Sequence, residues 1–184
     1  MPAGCARSSA RAAGRCPPAE RRGAGAAAVI PTQRTSPARG CYAAAVRVEL
    51  DDDERALLAR ARQAALSAWA PYSRFRVGAA LAGADGRVFL GANVENASFG
   101  LTMCAERVAL FQGVIAGGRP FGACAVACVD APAALGASAR TPCGACRQLL
   151  AEHMPPDGRV IVDGAGVYRV EELLPAAFRF EPPR

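Results

Sequence analysis

Three cysteines sit where helical patterns begin, and that placement constrains the chain more than any other feature of its sequence. Cys104 opens a run to Ala116 with helical apolar spacing, and Cys143 and Cys146, a Cys-x-x-Cys pair, open a second such run that ends near His153. A helix N-terminus carries partial positive charge and unpaired N–H groups, which favour thiolate over thiol and prepare cysteine to bind metal. Three thiolates on one ion leave a tetrahedral zinc with an open position, the catalytic pattern, whereas a closed structural site needs a fourth protein ligand. Cys124 or Cys128 could complete such a four-cysteine site. They lie, however, at even spacing in the apolar run Ala123 to Val129, where free cysteines ordinarily face the core. Glu106, two residues after Cys104, adds a carboxylate that can take a proton from activated water and return it to a leaving group. A glutamate in the first turn of a helix is also an ordinary partner of the helix dipole.

The surrounding pattern predicts an α/β layered domain. Asp51, Asp52, Asp53 and Glu54 place acids at the start of a helix whose apolar residues Leu57, Leu58, Ala61, Ala65 and Trp69 follow at mostly helical spacing, with Pro71 as its end. Phe75 to Leu81 and Arg87 to Leu90 read as two strands joined through Ala84-Asp85-Gly86, since Asp-Gly is a strong hairpin signal. Ala123 to Val129 reads as a buried strand, Arg159 to Asp163 and Gly166 to Val170 as two more, and Glu171 to Leu174 as a short helix. Helices alternating with strands argue layers packed on a sheet. His153, the only histidine, is read as a helix C-terminal residue favoured by the dipole and not as a ligand.

Charge divides the chain at residue 46. The net charge of +6 resides entirely in residues 1–46, which hold seven arginines against Glu20, while residues 47–184 hold 15 arginines and 15 acids and are neutral. A neutral globular part with a single tryptophan lacks the basic groove and stacking aromatics of a nucleic-acid binder. Ala, Gly and Pro fill 24 of the first 46 positions without apolar periodicity, so this segment is expected to be a disordered leader. It is composed like an organellar transit peptide and also like an in-frame extension upstream of the start. We adopt the extension, and with it a cytoplasmic site of action in place of an organellar one. No stretch approaches the ~18 consecutive apolar residues of a membrane-spanning helix. Cys5, Cys16 and Cys41 are scattered without a motif and no secretory signal is present, which favours a reducing compartment over a disulfide framework.

Four ordered motifs carry a family resemblance. Ala70-Pro71-Tyr72-Ser73-Arg74-Phe75-Arg76-Val77-Gly78-Ala79-Ala80, Asn93-Val94-Glu95-Asn96-Ala97, Cys104-Ala105-Glu106-Arg107 and Pro142-Cys143-Gly144-Ala145-Cys146-Arg147-Gln148 together resemble the homotetrameric zinc-dependent cytidine deaminases, from about Asp51 to Phe178. The resemblance implies a three-layer α/β/α fold on a mixed five-stranded sheet within a catalytic domain at 47–184, and a homotetramer. It makes Cys104, Cys143 and Cys146 the Zn²⁺ ligands and Glu106 the catalytic proton shuttle. Phe75 corresponds to the ring that packs against the pyrimidine, its alternative being a core aromatic of a strand. Asn93 and Glu95 correspond to partners of the ribose hydroxyls, their alternative an ordinary turn after a strand. Arg107 corresponds to an arginine that contacts the ligand thiolates, a counterweight to the −1 charge of zinc with three thiolates. Phe178, in Leu173-Leu174-Pro175-Ala176-Ala177-Phe178, corresponds to a phenylalanine that reaches the active site of a neighbouring subunit. Phe99 departs from the tyrosine usual in the family, and residues before 47 have no family counterpart.

The implied activity is hydrolytic deamination of cytidine and 2′-deoxycytidine to uridine and 2′-deoxyuridine, a step of pyrimidine salvage. The known chemistry of zinc deaminases uses three-cysteine coordination and a glutamate that is not a ligand. The substrate is a small nucleoside, with neither nucleic acid nor membrane as partner. Rival readings are a deaminase of another aminopyrimidine nucleoside of the blasticidin S type, against which Asn93 and Glu95 argue, and a non-catalytic zinc-stabilised module.

Overall fold

The computed structural model describes residues 47–180. The expected leader at 1–46 therefore lies outside the described residues.

Asp51 starts the first helix, α1 (Asp52–Ala65), through a reciprocal capping box. Its carboxylate accepts from the Glu54 amide at 2.8 Å, and the Glu54 carboxylate accepts from the Asp51 amide at 3.0 Å. Glu54 is buried, and the guanidinium groups of Arg47 and Arg159 pair with it, so only one of the four expected acids enters the interior and it is neutralised there. α1 ends at Ala65, earlier than the spacing of Trp69 suggested. The backbone of Trp69 is engaged elsewhere: its amide donates to the Asn93 carbonyl at 2.9 Å, and its own carbonyl accepts from the Glu95 amide at 2.8 Å. Pairing with a distant segment overrides local helical spacing, and the indole stays 62% exposed.

Five strands follow: β1 (Val77–Gly83), β2 (Val88–Ala92), β3 (Phe121–Cys128), β4 (Arg159–Val162) and β5 (Gly166–Arg169). They form one sheet in the order β2-β1-β3-β4-β5, in which only the β3–β4 pair is parallel. This is the expected mixed five-stranded sheet. The β1–β2 hairpin turns at the expected Asp85-Gly86, with Gly86 at φ +80, a conformation that glycine adopts without a Cβ penalty. β1 begins at Val77, two residues later than expected, because Arg74 at φ +57 turns the chain and the Phe75 amide donates to Ser73 Oγ instead of entering the ladder.

Helices cover both faces. Leu57, Leu58 and Ala61 of α1 pack on Ala80, Ala125 and Ile161. On the other face α2 (Ala105–Ile115) and α3 (Gly144–His153) pack Ala109, Leu110 and Leu150 on Ala79, Leu81, Cys124 and Val126. Alternate residues of β3 thus serve opposite cores, the period of two that a strand imposes. Gly78 and Gly91 lie where helix backbone meets sheet. A Cβ on Gly78 would overlap the Ala61 carbonyl and the Ala65 amide of α1, and one on Gly91 would overlap the Ala105 carbonyl and the Ala109 amide of α2. α4 (Val170–Leu173) follows β5 directly. Among the described residues no helix is long and apolar enough to cross a membrane.

Candidate metal and catalytic site

The sheet holds α2 and α3 on one face so that their N-termini converge. Cys104 is the N-cap of α2 and Cys143 the N-cap of α3, both in extended conformation, and neither side chain caps its own helix. Cys146 lies one turn into α3. The Sγ atoms of Cys104 and Cys143 are 3.9 Å apart, those of Cys143 and Cys146 3.5 Å, and all three lie within 4.8 Å of one another. Tetrahedral zinc with Zn–S bonds of about 2.3 Å places its sulfurs about 3.8 Å apart, so the donor set fits that ion. No fourth side chain joins the cluster among the described residues. Cys124 is sealed in the core, which pushes its thiol pKa far up, and Cys128, also buried, is raised to about 11. The closed four-cysteine alternative is therefore not what the fold assembles.

The thiols bias one another's ionisation. The neighbouring Cys146 thiol and the guanidinium of Arg107 hold Cys104 down at about 5, while the proximity of Cys104 and burial raise Cys146. The Arg107 terminal nitrogen is 3.4 Å from Cys104 Sγ and also donates to the Thr102 carbonyl at 2.9 Å. Arg107 is thus placed against a thiolate, not on an open helix surface.

Glu106 is 6% exposed and lines a cavity of about 190 Å³ beside Cys104. Burial raises its carboxyl pKa, and the negative charge of Cys104 adds to that. It is not among the clustered metal donors. A buried carboxyl with raised proton affinity, facing a cavity next to a metal-ready cluster, can exchange protons with a molecule bound there.

Phe75, Asn93 and Met103 line the same cavity. The Asn93 Oδ1 accepts from the Val77 amide at 2.8 Å and its Nδ2 donates to the Phe75 carbonyl at 3.0 Å, leaving one N–H and one lone pair for a ligand. Glu95 faces an adjoining cavity of about 420 Å³ with Tyr72, Ser73 and Phe99. Thr102 lines both cavities. The Glu95 carboxylate accepts from the Tyr72 and Ser73 amides at 2.9 and 3.1 Å and from the Ser73 hydroxyl, contacts that hold it ionised. Phe178, 71% exposed, lies outside both cavities of its own chain. His153 is in the last turn of α3 as expected, but burial lowers its pKa, so the neutral ring is favoured and the expected charge–dipole attraction is not what holds it.

Sequence reasoning missed part of the inner wall. Cys128 and the stretch Ala139-Arg140-Thr141 line it, from the end of β3 and the loop before Pro142. The one sequence signal for Thr141 is that it directly precedes the Pro-Cys motif.

Comparison with known proteins agrees with this geometry. The family described as the cytidine and deoxycytidylate deaminase zinc-binding region matches residues 51–162. Cytidine deaminase of Halalkalibacterium halodurans is 47% identical over 133 residues, which span 70% of this chain and 96% of that protein. Cytidine deaminase of Mycobacterium tuberculosis is 45% identical over 130 residues, 70% of this chain and 91% of the relative. Among solved structures, cytidine deaminase of Burkholderia pseudomallei superposes with a TM-score of 0.60 at 46% identity, covering 67% of this chain and 98% of its own. The M. tuberculosis structure gives 0.60 at 38%, covering 71% of this chain and 100% of its own.

Proposed function

The chain belongs to the cytidine and deoxycytidylate deaminase family, and on that premise we propose that it hydrolyses cytidine and 2′-deoxycytidine to uridine and 2′-deoxyuridine with release of ammonia. The observation that carries the reading is a buried carboxyl, Glu106, lining a cavity beside three thiols at zinc spacing without belonging to the cluster. Cys104, Cys143 and Cys146 hold Zn²⁺, which supplies the Lewis acidity that makes water a competent nucleophile at neutral pH.

The residues of the chain do the rest. Glu106 takes a proton from the attacking water and delivers it to the ring nitrogen of cytosine, then moves the remaining proton of the hydroxyl added at C4 to the amine, which leaves as ammonia while C4 becomes a carbonyl, in keeping with zinc-deaminase chemistry. Its burial keeps the carried proton from bulk water. Phe75 packs against the base. Asn93 and Glu95 bind the ribose hydroxyls, Glu95 as an acceptor whose own backbone and Ser73 contacts fix its direction. Arg107 offsets the thiolate charge through Cys104.

The same reading makes the protein a homotetramer. Trp69, Tyr72, Phe99 and Leu101 are 62%, 55%, 76% and 69% exposed, with the Tyr72 and Phe99 rings packed edge to face at the cavity of Glu95, and exposed apolar side chains of this size favour burial by another copy. Phe178, exposed on the same chain, then acts at a neighbour's cavity. Cytoplasmic action is proposed on the ground that free thiols persist in a reducing compartment.

The test is ammonia release from cytidine, 2′-deoxycytidine and blasticidin S by the purified protein, with zinc content and light scattering measured on the same sample. Turnover of both nucleosides by a zinc-containing tetramer is expected. Turnover of blasticidin S alone, or of none, overturns the substrate assignment, and a fully active monomer overturns the role of Phe178.

A further inference from the structure

Arg147 follows the Cys-x-x-Cys pair directly, and none of the roles above accounts for it. Its guanidinium reaches three acceptors in three directions. Nε donates to the Pro142 carbonyl at 2.7 Å, one terminal nitrogen to Thr141 Oγ1 at 2.9 Å, and the other to the Leu173 carbonyl at 3.0 Å. Pro142 is fully buried and immediately precedes Cys143. Thr141 belongs to the cavity wall. Leu173 closes α4, where the chain turns toward Phe178.

The neighbouring residue continues the arrangement. Gln148 Nε2 donates to the Phe178 carbonyl at 2.7 Å, so consecutive side chains on α3 hold the C-terminal segment at Leu173 and again at Phe178. The same helix presents Cys146 to the thiol cluster. One rigid element therefore touches the metal-binding turn, the cavity wall and the C-terminal segment.

We propose that Arg147 is a positioning residue of this site, fixing the turn that carries Cys143 and Cys146 and the wall at Thr141 through a single three-way fork. The proposal rests on the zinc-deaminase reading given above. Among the described residues Arg147 makes no hydrogen bond to the three thiols and forms no ion pair, so it acts by hydrogen-bond geometry and not by charge. A planar guanidinium with five fixed donors can satisfy three acceptors that diverge around it. A lysine ammonium, a point charge on a flexible stem, cannot span them. Losing the fork leaves the buried Pro142 carbonyl without its donor, which the turn can relieve only by moving, and Cys143 moves with it.

The experiment uses the full-length zinc protein and the variants Arg147→Met, Arg147→Lys and Gln148→Ala. Zinc release to a chromophoric chelator, kcat and KM for cytidine, and thermal midpoint are read for each. Arg147→Met is expected to release zinc faster by roughly tenfold to a hundredfold, the usual effect of losing an outer support of a metal site, and to raise KM more than it lowers kcat. Arg147→Lys should fall near Met because charge without the fork does not restore the geometry, and Gln148→Ala should release zinc at the wild-type rate. A lowered thermal midpoint with wild-type zinc release and KM in Arg147→Met would reduce Arg147 to a stabilising residue and overturn the proposal, as would full rescue by lysine. If Arg147→Met does not fold, Arg147→Lys and Thr141→Val decide. Wild-type zinc release in the first together with wild-type KM in the second overturns the role. A wild-type protein that is active and zinc-loaded while these variants are unchanged defeats this inference alone, whereas a wild-type protein without zinc defeats the site reading itself.

Discussion

Asp130 accepts three hydrogen bonds from Arg76, from the backbone amide at 2.8 Å and from two guanidinium nitrogens at 2.8 and 2.6 Å. The second residue after β3 is thereby tied to the residue before β1, next to Phe75. The Arg76 guanidinium, with its amide, lowers the Asp130 pKa to about 2 from an ordinary 3.8. A carboxylate depressed in the folded state contributes stability that is complete above its unfolded pKa and is lost as pH falls toward its folded one. Asp130→Asn should therefore lower the urea midpoint by a constant amount from pH 8 to about 5, a difference that shrinks below about pH 4. A difference that changes between pH 5 and 8 would show that another group is responsible. At this scale Cys104, Glu106, Cys143 and Cys146 were legible in the sequence, because helix starts and short spacings are local properties. Cys128 and Thr141 were not, because only the β3–β4 crossover and the loop before α3 bring them to the cavity. The occupation of half of the Asn93 amide by the Val77 and Phe75 backbone was likewise invisible, since both partners lie about one hairpin away.

Two glycines set how closely helices approach the sheet, and they face opposite sides. Gly78 abuts α1, which carries no site residue, and Gly91 abuts the first turn of α2 at Ala105, between Cys104 and Glu106. Overpacking at such contacts costs about 1–3 kcal/mol, sometimes more. Gly78→Ala is expected to lower the unfolding free energy while folded protein keeps its zinc and most of its kcat. Gly91→Ala should lose kcat and zinc beyond what its unfolded fraction explains. Denaturant titration paired with kinetics on the folded fraction checks this, and equal kcat in the two variants would refute a positioning role for that contact. The hairpin at Asp85-Gly86 and the α2 and α3 starts were legible in the sequence. The end of α1 was not, since Trp69 follows helical spacing yet spends its backbone bonds on Asn93 and Glu95.

At the scale of the whole molecule the layered fold and mixed sheet followed from the order of patterns and from family resemblance, while the strand order needed the structure. Residues 47–184 and the basic first 46 residues are expected to be functionally separable, because the four family motifs and the clustered thiols Cys104, Cys143 and Cys146 all lie after residue 46. Deleting residues 1–46 should leave zinc content, kcat and KM unchanged, and an inactive or unfolded product would contradict that. Deamination at this site requires that the Glu106 carboxyl be chemical and not structural. Parallel measurement of zinc content and kcat in Glu106→Gln tests it most directly, since glutamine keeps length and most hydrogen bonding but cannot serve as a base. Retained zinc with kcat lowered by at least about 10²–10⁴-fold is the predicted result, and loss of zinc in step with activity, or near-normal turnover, would contradict it.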